Sequence, residues 1–178
     1  MGMLIEDSQR ADAASAIRQL LAGRVTSIRA LDFVSSAAKA NASDARYRLL
    51  GNALETAAVL INIDADDETV AAALIVASMP RSAIDSANIA NAFGSSVWDL
   101  VSGVLRAGRI DSIRVESGAG PSGPGLEAMR KMLLALADDV RVVLIKLAER
   151  VVFMRSATKA DDATRRAAGQ QTKDLFAP

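Results

Sequence analysis

From Asp139 to Arg155 the sequence reads DVRVVLIKLAERVVFMR, apolar enough for a core strand but interrupted by Lys146, Glu149, Arg150 and Arg155. A strand would alternate polar and apolar positions, whereas these charges cluster at helical intervals, so the spacing predicts a helix over 142–155. On that helix Glu149 can pair with Lys146 across one turn, although Lys ahead of Glu is the weaker orientation. The same periodicity recurs along most of the chain. Its hydrophobic fraction, 51%, comes mainly from Ala, Val, Leu and Ile, and only 3% of residues are aromatic. That balance favours closely approaching helices over a sandwich of sheets, and the expected fold class is all-α with many helices.

Read in order, DSQRADAASAIRQLLAG (7–23) puts Ala13, Ile17, Leu20 and Leu21 on one stripe, with Asp7 or Ser8 as N-cap and Gly23 as C-cap. A second helix covers SIRALDFVSSAAKA, and a third runs over 44–61 from a capping Asp44. DDETVAAALIVASMPR begins with acids that complement a helix dipole and stops at Pro80, which predicts a short, deeply buried helix. SAIDSANIANAFGSSVWDLVSGVLRAG reads as a short helix ending at Gly94 and a longer one carrying Val97, Trp98, Leu100, Val101 and Leu105, with Trp98 expected in the core. SGAGPSGPG (117–125) opposes regular structure and is expected to be a flexible loop. No Lys-Ser/Thr follows it, so its glycines do not make a P-loop. LEAMRKMLLALADD is expected to form a helix that turns near Asp138 and Asp139, and DDATRRAAGQQTKDLF a last, polar one.

At 178 residues the chain suits one domain, 1–178. Twenty-one basic and 21 acidic residues cancel, which leaves no global field to draw it onto nucleic acid or an anionic membrane. Arg106, Arg109, Arg114, Arg130 and Lys131 could gather into a local anion patch, but intervening acids oppose it. With no cysteine, disulfides, thiolate metal sites and cysteine nucleophiles are excluded. The start MGMLIEDSQR lacks the features of a signal peptide, and no apolar run reaches the roughly 18 residues that span a bilayer, so a cytoplasmic location is expected. The chain also has no histidine, the commonest metal ligand and the usual general base of serine hydrolases.

TVAAALIVASMP, IANAFGSSVWDLVSGV, MRKMLLALADDVRVVLIKLAERVVFMR and KDLFAP, in that order, resemble successive blocks of the hydrolase domain of the RelA/SpoT family, which makes and destroys the alarmone (p)ppGpp. The resemblance covers roughly 50–178, is most specific in DDVRVVLIKLAER, and is weakest over the helices of 1–49. It implies an HD-type phosphohydrolase fold, and in such a domain a manganese ion held by imidazole and carboxylate assists removal of a 3′-pyrophosphate. Carried over position by position, the first ligand His falls on Asn52, with Ala53 in place of the usual Pro. The His-Asp pair falls on Val76 and Ala77, a nearby Glu-Asp pair on Pro80 and Arg81, the later metal-binding Asp on Glu149, and a following His-Asn on Val152 and Phe153. Only Glu149 keeps a carboxylate, and Arg81 puts positive charge where a cation needs negative. Val76, Ala77 and Phe153 are then expected to refill the former cavity with apolar side chains.

The resemblance therefore implies no hydrolytic residues, no metal and no cofactor in this chain. It implies a degenerate pseudo-hydrolase domain, as in the monofunctional RelA branch, cut from or belonging to a longer GTP pyrophosphokinase that acts in the stringent response. The expected partner is the synthetase domain of the same parent, with guanine nucleotide (ppGpp) a candidate ligand. The ribosome is reached only through the parent, and neither membrane nor direct nucleic-acid contact is expected. Lys146, Glu149 and Arg150 read either as a solvated or internally paired helix face or as an interdomain contact. Arg81 reads as a surface arginine or as a replacement for the metal's charge. The alternatives are a structural module without nucleotide affinity and an active (p)ppGpp pyrophosphohydrolase with an unusual site.

Overall fold

A computed structural model of the chain describes residues 15–40, 43–80, 84–117, 139–158 and 160–176. Among these residues all regular structure is helical, as the periodicity predicts. A helical stretch at 15–20 precedes α1 (Val25–Ala40), α2 (Asp44–Asn62), α3 (Asp67–Ser78), α4 (Ser86–Phe93), α5 (Ser95–Ser117), α6 (Val140–Ala157) and α7 (Asp162–Phe176). Asp7, Ser8, Arg81, residues 118–125 of the expected loop and all but Asp139 of LEAMRKMLLALADD lie outside the described residues, as do the side chains of Asp44, Arg109 and Arg114. No described helix is long and apolar enough to cross a membrane.

The chain divides into two compact units, Met1–Val101 and Ser102–Pro178. In the first, α3 packs against both α1 and α2. Residues 69–75 of α3 are all buried, so this helix is enclosed on every side, and its three consecutive alanines let the neighbouring helices approach closely. Asp66 caps it: Oδ1 accepts from the Thr69 amide at 2.9 Å and Oδ2 from the Thr69 hydroxyl at 2.7 Å. Met79 is extended (φ −117°, ψ 139°), the conformation a following proline imposes, and it ends the helix after 12 residues. Leu31, Leu60, Leu74, Ile75, Ile89 and Leu100 are fully buried in this unit. Truncating one such leucine or isoleucine to alanine would cost about 2–5 kcal/mol. Ile17 and Leu21 join this core but Leu20 is 53% exposed, and Trp98 is only half-buried rather than a core residue.

Arginines tie the helix ends of this unit together. Arg24 donates to the carbonyl of Ala65, and Arg29 donates to that of Ala92 while its guanidinium lies 5.7 Å from the centre of the Phe93 ring. Phe33 meets the same ring edge-on, with centroids 5.5 Å apart. In the second unit α6 packs against α7. Val142, Ile145, Ala148 and Val152 form its buried stripe, at the helical spacing expected for a core-facing side.

Candidate functional site

The positions singled out from the sequence fall on both units. In the first, Asn52 lies in the middle of α2, where its side chain is exposed and its backbone carbonyl accepts from the Thr56 hydroxyl at 2.8 Å. Val76 and Ala77 occupy the last turn of α3, both half-buried, and Pro80 is half-buried just beyond it. Buried Ser78, between them, returns its hydroxyl to the carbonyl of Ile75 at 3.3 Å.

In the second unit the positions ride on α6, which starts at a strongly held cap. The Asp139 carboxylate accepts from the Arg141 amide at 2.9 Å and from the Arg141 guanidinium at 2.6 to 3.0 Å. The Arg141 side-chain bonds are the main reason its pKa lies below the ordinary carboxylate value, burial opposing them and the Arg141 amide assisting. Two turns on, Lys146 Nζ donates to Glu149 Oε2 at 2.9 Å, and the two side chains are only 19% and 25% exposed. The pairing expected across one turn is therefore made. Val152 is buried in the core stripe.

Phe153 departs from the expectation that it refills a cavity. Its side chain is 43% exposed, and the Arg150 guanidinium sits 4.7 Å from the ring centre. The adjacent Val152 takes the inward place, because neighbouring residues on a helix point about 100° apart and the buried stripe already claims that direction.

Arg150 does more than the sequence suggested. Its Nε donates to the Thr172 hydroxyl at 2.8 Å and its Nη2 to the carbonyl of Ala168 at 3.0 Å, both on α7. No local pattern announces a bond across 18 or 22 residues; the one signal was a charge on the flank of an otherwise apolar helix.

The donor set can be tested against the manganese that the fold family implies. The side chains of Val76, Ala77, Pro80, Val152 and Phe153 carry no lone pair to offer a cation. Asn52 is a weak neutral ligand, and the one carboxylate, Glu149, already faces the Lys146 ammonium. Among the described residues no three acidic side chains converge to hold an ion. Hard divalent cations take several oxygen or imidazole ligands at once, and these residues do not fit one.

A family model described as HD domain matches residues 30–178. The chain is 31% identical over 125 residues to the GTP pyrophosphokinase rsh of Brucella ovis, an alignment covering 70% of this chain and 16% of that protein. It is 28% identical over 130 residues to the GTP pyrophosphokinase of Photobacterium angustum and 29% identical over 130 residues to that of Escherichia coli, in each case covering 73% of this chain and 18% of the relative. The chain thus spans about one sixth of the length of the relatives it matches, and over this region it is homologous to RelA/SpoT-type GTP pyrophosphokinases. With the family model spanning most of its length, the chain belongs to the HD domain family.

Proposed function

We propose that this chain is a catalytically inactive pseudo-hydrolase domain of a larger GTP pyrophosphokinase and that it tunes the adjacent synthetase domain. The observation that carries the reading is chemical. Where the resembling hydrolases place imidazole and carboxylate ligands, this chain has Asn52, Val76, Ala77, Val152 and Phe153, and its whole sequence contains no histidine. Removal of a 3′-pyrophosphate requires a group that draws electron density from the phosphoryl oxygens and one that deprotonates the attacking water. Aliphatic and phenyl side chains can do neither. The surviving Glu149 is charge-balanced by Lys146.

The direct test is to incubate the purified chain with ppGpp and manganese and follow release of pyrophosphate. No release above the protein-free blank is expected. Manganese-dependent release would overturn the reading. Regulation needs two domain arrangements whose balance this module shifts. Deleting residues 1–178 from the full-length parent is expected to change its rate of ppGpp synthesis or its activation, and an unchanged synthetase would remove the regulatory role.

A second reading, an interaction module without nucleotide affinity, is favoured by one feature of α6. Val140, Leu147 and Val151 are all exposed, and their spacing puts them on one stripe of the helix. Calorimetric titration of the chain with ppGpp separates the two: saturable heat without breakdown of the nucleotide supports a sensing pseudoenzyme, and no heat supports the interaction module.

A further inference from the structure

Two adjacent carboxylates in the first turn of α3 reach out to different helices. Asp67 accepts from the Thr26 and Ser27 amides at the start of α1, at 2.9 and 2.8 Å, and from the Ser27 hydroxyl. Glu68 accepts from the Ser96 hydroxyl in the first turn of α5, 28 residues along the chain. Helix α1 adds a link from its own side. Arg29 donates to the Ala92 carbonyl near the end of α4 and lies over the Phe93 ring, which Phe33 meets edge-on. Phe93 is the last residue of α4, and Gly94, with φ 91°, turns the chain directly into Ser95 of α5.

These links close a ring within the first unit. Asp67 joins α3 to α1, Glu68 joins α3 to the start of α5, and Arg29 joins α1 to the end of α4, where Ala92 stands only a few residues before Ser96. Once two of the links are made, the groups of the third are already held near each other, so little conformational entropy is left to lose in forming it. Bonds that share a network in this way support one another, and removing one weakens the rest. The Glu68–Ser96 bond also brings together the two ends of the stretch that carries Val76, Ala77, Pro80 and α4. The ring is thus the base of the segment on which the candidate positions at the end of α3 sit.

We propose that the three links act as one conformational clamp, which holds the start of α1, the start of α3 and the α4–α5 junction together and opens as a unit, freeing the segment between Glu68 and Ser96 to shift against α1. The clamp does not depend on whether the chain hydrolyses or binds ppGpp.

Residue-resolved amide hydrogen exchange on the whole chain tests it, with the Thr26 and Ser27 amides as reporters because both donate to the Asp67 carboxylate. Ser96→Ala removes the Glu68 link, on a different helix from the reporters. It is expected to lower their protection by roughly twofold to tenfold, and to lower that of the Leu74 amide, in the buried interior of α3, by less. Combining Ser96→Ala with Arg29→Ala is expected to cost the reporters less than the product of the two single losses, because either substitution already opens the ring. Unchanged reporters in Ser96→Ala would overturn the proposal. So would a loss equal to that at Leu74, which marks general destabilisation, or a double loss equal to the product of the singles, which marks independent contacts. If Ser96→Ala shows no protected amides anywhere, Glu68→Ala decides alone: selective loss at the reporters supports the clamp and any other pattern removes it.

Discussion

The carboxylate of Asp67, in the first turn of α3, caps α1 through Ser27: its Oδ1 accepts from the Ser27 amide at 2.8 Å and also from the Ser27 hydroxyl. Its Oδ2 accepts from the Thr26 amide at 2.9 Å. The first amides of α1 have no partner within their own helix, and a side chain from 40 residues away supplies one, together with a negative charge at the positive end of the dipole. Burial alone would raise the pKa of Asp67, but the Ser27 hydroxyl, the Ser27 amide and the Thr26 amide together outweigh it and hold the carboxyl below its ordinary value.

A carboxyl whose folded pKa is depressed contributes stability that is fully present above its unfolded pKa and is lost as pH falls through the folded one. For Asp67 the loss begins below about pH 4. Asp67→Asn presents an amide donor to one of the two backbone donors and is expected to cost about 1–3 kcal/mol at pH 7. Denaturant titrations of both proteins across pH 7 to 3 check this, and the gap between them should narrow at the acid end. A gap independent of pH would show that the charge contributes nothing.

Gly103 sets the closeness of α5 and α6 within the second unit. A Cβ built there would lie 2.7 Å from Val142 Cγ2, and valine on a helix has little rotamer freedom with which to withdraw. Gly103→Ala is therefore expected to destabilise by about 1–3 kcal/mol despite the better helix propensity of alanine. Adding Val142→Ala should recover part of the loss caused by the clash, and a double-mutant cycle measures the coupling.

The helices were legible because each obeys a local rule. Charges at helical intervals identified α6, Pro80 bounded α3, and Gly23 and Gly94 end helices with φ of 85° and 91°. Periodicity gives the direction of an apolar face but not how far a neighbour covers it, which is why Leu20 and Trp98 read as inward and are partly or largely exposed. The Asp67–Ser27 cap and the Arg150 fork join residues far apart in the chain, and no local pattern encodes them. The candidate positions were legible only through the family resemblance, because valine, alanine and phenylalanine carry no chemical signature that would single them out.

Asp64 closes α2 in the left-handed region, φ 55°, where a non-glycine residue is disfavoured. The Ala65 amide reaches the Leu60 carbonyl at 3.0 Å and the Asp64 amide the Ile61 carbonyl at 3.0 Å, the paired bonds of a Schellman end. Glycine adopts this conformation without a Cβ penalty, so Asp64→Gly is expected to be neutral or stabilising, by up to about 1 kcal/mol, and Asp64→Val to lower stability by more than that. Thermal unfolding checks the order glycine, aspartate, valine, and a valine variant as stable as wild type would contradict the geometry.

Gly169 is the opposite case, a glycine that its surroundings do not require. It lies inside α7, its φ is not in the left-handed region, and a Cβ there would meet nothing within 4 Å. Gly169→Ala therefore adds helix propensity without a clash and is expected to stabilise α7 by about 0.5–1 kcal/mol. Amide hydrogen exchange on wild type and Gly169→Ala checks this: slower exchange in α7 is expected, and unchanged or faster exchange there would contradict the geometry.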